Sequence, residues 1–351
     1  MYKHTIFEQH NNMKKILNNK YIIIIPILIL NLLSIIYLQN TIYLNKHIIF
    51  IALSFITLFV FSKINIKILS KLTPYIYFGS LLLLLAVLLI GKEINGSKAW
   101  LQLFGISIQP SEITKFSLSI YLTQLAIKNK NFFYLLSVTI IPTILTFLEP
   151  DTGAIIFYFI IFLSTIKYIK INKKILFTVV TIALIFIGTN IALYFSNQDL
   201  LIKIYGTKLF YRIDRIMSFK KLDNIQNTNS IISIGAHKLM YIPENHNDFI
   251  FSAIISKFPI CFPLIIITYI TIFIYYIKNI TNKKNISNII NTIILNTLIV
   301  QSFYNVFMNL SLTPIIGIPL PFISYGGSYL VTLYALIGLS INLNINKNKV
   351  V

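Results

Sequence analysis

The chain has 351 residues, of which 56% are hydrophobic and only 11% are charged. Soluble domains carry roughly 25% charged residues, so this composition leaves too little polar surface to cover a soluble globule and excludes one. The formal net charge is +20, but the lysines lie in short clusters between apolar runs. That placement is typical of the topology signals of membrane proteins and not of a surface that binds nucleic acid.

A spanning helix needs roughly 20 apolar residues. The first apolar run is too long for a signal peptide and lacks a small-residue cleavage site, so we interpret it as a retained first span. The sequence predicts an all-α polytopic membrane protein with about ten transmembrane helices, forming a single membrane domain over 1–351. The predicted spans are 21–39, 48–66, 73–91, 111–128, 133–149, 153–170, 174–196, 249–278, 287–312 and 327–346.

The distribution of lysines predicts the orientation of these spans. Ten spans place both termini on one side, and the tails and loops of that side contain 18 lysines, whereas the short loops of the other side contain three. Cytoplasmic loops are enriched in Lys and Arg, so we expect both termini to be cytoplasmic. Segment 197–248 is then one large extracytoplasmic loop, and loops of that length escape the charge rule.

Five acidic residues lie at span edges on the predicted external side. Carboxylates near a membrane core are costly and usually functional, although an edge residue can also reach water or cap a helix. Glu112 could form an i,i+3 ion pair with Lys115 in a first helical turn. The remaining acids are Glu149 and Asp151 in a tight turn, and Glu244 and Asp248 on either side of His246.

The segment from Pro314 to Ser328 contains three prolines in an apolar stretch, so it cannot form a regular helix. Irregular backbone at membrane depth is tolerated only where it is buried in protein or lines a wet cavity. The glycines Gly326 and Gly327 allow close approach of a backbone or a ligand. The alternative is a plain external loop.

Four motifs, in this order, resemble those of the SEDS family (shape, elongation, division and sporulation), which includes RodA and FtsW. The resemblance covers nearly the whole chain. It is carried by Gly96–Leu101 followed by Gln109–Glu112, by Glu149–Gly153, by Pro243–Phe251 and by Leu320–Ser328.

Within the family, Thr73–Tyr75 and Gly317–Pro321 look more like RodA, whereas Tyr211-Arg212 with Arg215 looks more like FtsW, and we favour RodA. The chain also departs from the family pattern. Ala99 stands where the family usually has arginine, and Ser256–Pro259 replaces a Glu-Glu-Leu-Gly run. The external loop has lost a Gly- and Gln-rich stretch.

The resemblance implies a peptidoglycan glycosyltransferase of the bacterial inner membrane. Such an enzyme polymerises lipid II, an undecaprenyl-pyrophosphate-linked disaccharide peptide, on the external face, in partnership with a class B penicillin-binding transpeptidase. The RodA likeness implies a role in cell elongation and rod shape. The alternatives are a lipid II flippase, a division polymerase of the FtsW type, and an inactive scaffold for the transpeptidase.

Transglycosylation joins a sugar hydroxyl to an anomeric carbon and expels a lipid pyrophosphate. A carboxylate base activates the hydroxyl, and Asp248 is the catalytic candidate because it matches the family's essential aspartate. The pyrophosphate needs cations, either Lys and Arg or a divalent ion such as Mg²⁺ or Mn²⁺, for which the sequence assigns no ligands. The predicted substrate-binding residues are Lys98, Gln109, Ser111, Glu112, Lys115, Asp151, Arg212, Glu244, His246, Ser324, Tyr325, Gly326 and Gly327.

Overall fold

The computed structural model describes residues 22–94, 97–103, 106–217, 225–281 and 283–346. Within these ranges the chain forms thirteen helices and three short strands. Six of the helices are long and apolar enough to cross a membrane. The helices are α1 (Ile24–Leu38), α2 (Leu44–Lys63), α3 (Ile66–Ile90), α4 (Pro110–Ile127), α5 (Phe132–Leu148), α6 (Thr152–Ile166), α7 (Lys173–Ser196), α8 (Gln198–Met217), α9 (Ile225–Ala236), α10 (Ile250–Lys257), α11 (Cys261–Asn279), α12 (Ile286–Asn309) and α13 (Gly327–Ile345).

Nine of the ten predicted spans correspond to single helices, and the eighth, 249–278, is divided into α10 and α11. Pro259 causes the break. It has no N–H to donate and disfavours helical backbone at the residue before it, and Phe258 accordingly has φ −136° and ψ 76°. The short helix α10 is buried almost throughout and begins two residues after Asp248.

The loop between α3 and α4 forms a small antiparallel sheet that the sequence pattern did not predict. Its strands, in spatial order, are β1 (Lys92–Ile94), β2 (Ser97–Leu103) and β3 (Ile106–Ile108). Trp100 pairs with Lys92, and Leu101 pairs with Ile108. The sheet places Ser97, Lys98 and Ala99 on one strand, close to the C-terminal end of α3.

The core of the bundle is built around α4, α12 and α13. Helix α13 packs tightly along α2, and a Cβ on Gly338 would come within 2.3 Å of the carbonyl oxygen of Leu58. Only glycine permits this approach. Helix α7 is the opposite case, because Tyr194 is its only buried residue and its mean hydropathy is 2.3. Its apolar surface therefore suits contact with lipid.

The segment predicted as the large loop, 197–248, contains α8 and α9, with residues 218–224 outside the described part. Helix α8 is interrupted at Gly206, where φ is +77°. Helix α9 packs against the rest of the bundle, and the Ser230 hydroxyl donates a hydrogen bond of 2.6 Å to the carbonyl oxygen of Asn309 in α12. The hydrogen bond of Ser230 thus anchors this segment to the end of α12.

Candidate functional site

The four sequence motifs lie at the same end of the bundle. They occupy the start of α4, the α5–α6 turn, the loop between α9 and α10, and the segment between α12 and α13. The first turn of α6 approaches the last of these segments closely. A Cβ on Gly153 would lie 3.5 Å from the carbonyl oxygen of Ile316 and 3.6 Å from that of Gly317.

Asp151 joins the first two motifs. Its Oδ1 accepts a hydrogen bond of 3.2 Å from the backbone N–H of Ala154, so it caps α6 as the turn pattern predicts. Its Oδ2 accepts bonds of 2.8 Å from the Gln109 amide and from the Ser111 hydroxyl. Gln109 in turn donates its backbone N–H to the Ser328 hydroxyl at 3.1 Å, which connects this carboxylate to the start of α13.

Glu112 and Lys115 form the predicted ion pair in the first turn of α4, with 2.6 Å between Oε1 and Nζ. The Glu112 side chain is 8% exposed and the Lys115 side chain 12%. The Lys115 ammonium also lies 4.8 Å from the ring centroid of Phe157 and 5.9 Å from that of Tyr329. The charge of Lys115 is therefore already balanced by Glu112 and by two aromatic faces.

Glu149 follows α5 in the turn and is fully buried. The carboxyl oxygens have no hydrogen-bond partner within the described residues. Burial, and secondarily the negative charge of Asp151, raise the pKa of this carboxyl to about 8. At neutral pH the protonated, uncharged form therefore predominates. The backbone carbonyl of Glu149 accepts a hydrogen bond of 2.9 Å from the Ser97 hydroxyl of β2.

His246 lies in an aromatic setting beside Glu244. Its ring stacks on Tyr43 with 3.8 Å between centroids and meets Tyr325 edge-on at 5.6 Å. Its Nε2 is 3.6 Å from Oε2 of Glu244. Burial lowers the pKa of His246, and the nearby Glu244 carboxylate opposes that shift without reversing it. The imidazole is therefore mainly neutral at pH 7.

Asp248 is held by hydrogen bonds to its backbone, and its carboxylate lies beside Gly317. The side-chain amides of Asn305 and Asn309 donate to its carbonyl oxygen at 2.9 Å and 3.0 Å. The Oδ2 atom lies 3.4 Å from where a Cβ on Gly317 would be, so a side chain at that exposed glycine would crowd the carboxylate. Burial, followed by the charge of Glu244, raises the pKa of Asp248 to about 7.

The segment between α12 and α13 is hydrogen-bonded to the loop between α9 and α10, which contains Asp248. The Ser324 hydroxyl donates to the carbonyl oxygen of Asn247 at 2.7 Å, and the Tyr325 backbone N–H donates to that of His246 at 3.0 Å. Leu320 and Phe322 are fully buried. The part of the segment from Leu320 to Ser324 is therefore buried in protein, as the sequence predicts, whereas Gly317 is exposed.

The two glycines that begin α13 differ in their surroundings. A Cβ on Gly327 would come within 2.7 Å of the Phe50 ring, so glycine is needed there for α13 to pack on α2. Gly326 has more space, because its nearest neighbour would be Cβ of Tyr329 at 3.7 Å. Gly327 thus acts in helix packing, and Gly326 gives the chain room just before the helix.

The remaining cation candidates are Lys98 and Arg212. The Lys98 ammonium donates to the carbonyl oxygens of Leu88 and Leu89 at 2.8 Å and 3.1 Å, at the C-terminal end of α3. A cation is favoured there by the helix dipole. The Arg212 side chain lies outside the described part of the structure. Ala99, which replaces the family's arginine, is 1% exposed.

Sequence reasoning missed the residues of α12 that hold the site. Gln301, Asn305 and Asn309 are all buried, and the Gln301 amide donates to the carbonyl oxygen of Pro319 at 3.0 Å. They occur every fourth residue in the second half of α12, so they share one helix face. Polar residues inside a span are expensive and usually functional, and this stripe was the signal that could have identified them.

A metal site needs several ligand side chains close together. Within those ranges, no three side chains of His, Cys, Asp or Glu come together as a ligand group. The divalent cation considered for the pyrophosphate therefore has no assigned protein ligands, and it stays a prediction.

The chain matches known proteins over almost its full length. Residues 14–349 match the family model described as cell cycle protein, FtsW/RodA/SpoVE. A probable peptidoglycan glycosyltransferase FtsW from Buchnera aphidicola subsp. Baizongia pistaciae is 32% identical over 84% of this chain and 82% of that protein. The FtsW of Wigglesworthia glossinidia brevipalpis is 29% identical over 86% and 85%.

Solved structures show the same fold. One is described as structural coordination of polymerization and crosslinking by a peptidoglycan synthase complex. It is 20% identical, with a TM-score of 0.76 over 92% of this chain and 97% of that chain. The rod shape determining protein RodA of Thermus thermophilus has a TM-score of 0.68 at 20% identity over 93% and 96%. The chain therefore belongs to the FtsW/RodA/SpoVE family of cell cycle proteins, as its resemblance to the SEDS family predicts.

Proposed function

We propose that this protein is a peptidoglycan glycosyltransferase that polymerises lipid II at the membrane face carrying the four motifs. The observation that carries the proposal is the setting of Asp248. Its backbone is fixed by two buried amides, its carboxylate reaches the surface of an exposed glycine, and its pKa is raised to about 7. A general base works best when its pKa lies near the operating pH.

The reaction needs one proton acceptor and one anion stabiliser. The Asp248 carboxylate takes the proton of the acceptor sugar hydroxyl as that oxygen attacks the anomeric carbon of the donor, and the lipid pyrophosphate leaves. Glu244 and neutral His246 lie beside Asp248 and line its surroundings. Because Lys98 and Lys115 already bind groups of the protein, their role towards the pyrophosphate requires these contacts to be exchanged.

The biological role that the comparisons favour is division. The relatives from Buchnera and Wigglesworthia are named FtsW, whereas sequence motifs alone favoured RodA. The solved RodA is only 20% identical, which supports the fold and not the role. We therefore prefer a division polymerase to an elongation polymerase. A crosslinking partner is described for the related synthase complex, so a class B transpeptidase is the proposed partner here.

The proposed orientation places the motif end outside the cell and both termini in the cytoplasm of a bacterium, in its inner membrane. The lysine asymmetry supports this orientation. The large loop would then be extracytoplasmic, on the side where glycan strands are assembled.

The deciding experiment uses the purified chain in liposomes with fluorescently labelled lipid II. Polymerisation gives glycan ladders on a gel, whereas a flippase would give transbilayer movement of the label, and a scaffold neither. We expect ladders from the wild type and from Asp199→Asn, a control acid that is exposed at the start of α8. Ladders of wild-type intensity from Asp248→Asn, or label movement without ladders, would contradict the proposal.

A further inference from the structure

A cavity of about 120 Å³ lies at the bundle end opposite the four motifs. It is bounded by the start of α3, the end of α4, the start of α12 and the end of α13. An engineered apolar cavity of roughly 150 Å³ is known to hold benzene. The space between these helix ends is somewhat smaller than that, so it suits only a short apolar segment.

The lining changes from apolar to polar to charged along the axis of α4. Along α4, Ile120 lies farthest from the helix end and Gln124 lies one turn closer to it, and Ile290 and Leu339 also line the cavity. Lys128 lies at the mouth and is exposed. At 1.5 Å per residue, Lys128 is about 6 Å above Gln124 and about 12 Å above Ile120.

The polar level has hydrogen-bonding capacity that the described residues do not use. The Gln124 amide donates to the backbone oxygen and to the hydroxyl of Ser70 at 2.8 Å and 3.0 Å. Because the Ser70 hydroxyl is an acceptor there, its own proton can point to a further acceptor. Oε1 of Gln124 is buried with no partner within the described ranges. Oε1 is an acceptor and requires a donor such as water, whereas the Ser70 hydroxyl proton can be donated to an acceptor on a ligand.

The mouth belongs to a strongly basic end of the molecule. Beside Lys128, the Lys284 ammonium donates to Oδ1 of Asn129 at 2.7 Å. The turns and helix ends at this end contain twelve lysines and, among the described residues, no Asp or Glu. Each Lys near a membrane surface attracts an anionic lipid by about 1 kcal/mol. A ligand with a negative head and an apolar body therefore complements this end.

We propose that the cavity binds one anionic phospholipid of the adjacent leaflet, of the phosphatidylglycerol class. The phosphate contacts Lys128, an ester carbonyl accepts from the Ser70 hydroxyl, and an acyl-chain segment lies between Ile120, Ile290 and Leu339. This order of phosphate, ester and chain follows the order of charged, polar and apolar lining. The site is separate from the polymerisation site, so it does not depend on the proposed function.

Native mass spectrometry of the detergent-purified full chain tests the site, with dioleoyl phosphatidylglycerol and dioleoyl phosphatidylcholine as probes. Lys130→Ala is the matched control, because Lys130 lies in the same turn but rests over the Tyr134 ring, 5.7 Å from its centroid. We expect one retained phosphatidylglycerol in the wild type and in Lys130→Ala. Its affinity should be about fivefold weaker in Lys128→Ala, the loss expected for one Lys contact.

A second variant and a competitor distinguish the contribution of the lipid's acyl chain to binding from that of its headgroup. Ile290→Phe fills the apolar level and should lower lipid retention while Lys128 is intact. Glycerophosphoglycerol, which has the headgroup without chains, should not displace the lipid. Equal retention of the two lipids, equal affinity in Lys128→Ala and Lys130→Ala, displacement by the soluble headgroup, or no retained lipid at all would each overturn the proposal.

Discussion

Ionisation of Asp248 should increase activity but decrease stability, so the two should depend on pH in opposite directions. Burial raises its pKa from 3.8 to about 7, and only the ionised form can accept a proton. The polymerisation rate should therefore rise between pH 6 and pH 8. The same shift means that the folded chain holds this proton more tightly than the unfolded chain. That contribution to stability is complete below pH 3.8 and is lost as the pH rises through 7.

Asp248→Asn should separate these two effects. The amide keeps the size of the side chain but cannot act as the base, so the polymerisation rate should fall by roughly 10²–10⁴. The thermal midpoint at pH 8 should not fall, because no charge is buried in the variant. Gel assays of lipid II polymerisation and thermal melts at pH 6 and 8 measure both quantities. Unchanged activity would remove Asp248 from the chemistry.

Glu149→Gln is expected to stabilise the protein. The carboxyl of Glu149 is fully buried and has a pKa raised from 4.5 to about 8. Stability from such a group is present below pH 4.5 and is lost as the pH rises through 8. The stabilisation by Gln should therefore be small at pH 5 and reach a few kcal/mol, as an order of magnitude, by pH 8. Thermal melts across this range check it, and a difference in stability between the two forms that does not change with pH would contradict it.

Lys98 remains a predicted partner of the pyrophosphate, although it also binds the last carbonyls of α3. If it serves the leaving group, Lys98→Ala should lower the polymerisation rate at matched membrane abundance, because a cation near a low-dielectric boundary is worth more than in water. Lys92→Ala is the control, since that exposed lysine contacts the Gln102 side chain at 3.3 Å. An unchanged rate in Lys98→Ala would leave Lys98 with only its role at the helix end.

At the scale of elements, α12 positions the loop between α9 and α10, which contains Asp248, through Asn305 and Asn309. Removing either amide leaves the carbonyl oxygen of Asp248 with one fewer donor, and Asn305 also binds the carbonyl oxygen of Ile318 at 2.7 Å. Asn305→Ala should therefore lower the maximal rate. As Asp248 becomes more hydrated, the acid limb of the pH profile should also move to lower pH. A purely structural role would lower stability without moving that limb.

Asn296→Ala is the matched control for this positioning role. Asn296 lies in the same helix, and its amide donates to the Ser164 hydroxyl of α6 at 2.8 Å. Either substitution is expected to lower stability by about 1–3 kcal/mol, the usual effect of an unmet buried polar group. Only the Asn305 variant should shift the pH profile. A shift of equal size in both would argue against a specific effect on Asp248.

The elements that the sequence predicted well are those whose signal is local. Apolar runs gave single helices at nine of ten spans, and Asp151 and Glu112 act in the helix starts where their motifs placed them. Pro259 also indicates a break in the eighth span, but the length of the apolar run favoured a single helix there. The small sheet from Lys92 to Ile108 has strands of three to seven residues, too short for periodicity to reveal.

Contacts between distant elements were not predictable in the same way. The stacking of His246 on Tyr43 and the close approach of Gly317 to Asp248 join segments far apart in the chain. A single sequence states which residues are polar or small, but it does not state which partner each one meets. The assignment of Asp248 came from the family motif, and the amides that hold it became visible only in the packed structure.

At the scale of the whole molecule, charge is divided between the two ends of the bundle. All the acidic side chains of the described residues lie in the motif half, at or beyond the helix ends that carry the site. The turns at the other end carry twelve lysines, of which Lys128 lines the cavity. From the positive-inside rule we expect the loop that contains Asp248 to lie outside and the cavity to face the cytoplasmic leaflet.

This orientation can be tested by cysteine labelling in a Cys261→Ser background, since Cys261 is the only cysteine. Lys130→Cys lies in the α4–α5 turn of the basic end, and Tyr241→Cys lies in the loop between α9 and α10, where Tyr241 is 81% exposed. In intact cells, a membrane-impermeant maleimide should label position 241 and spare position 130 until the membrane is opened. Labelling of position 130 alone would invert the topology. It would also place Asp248 in the cytoplasm, where an external polymerase could not use it.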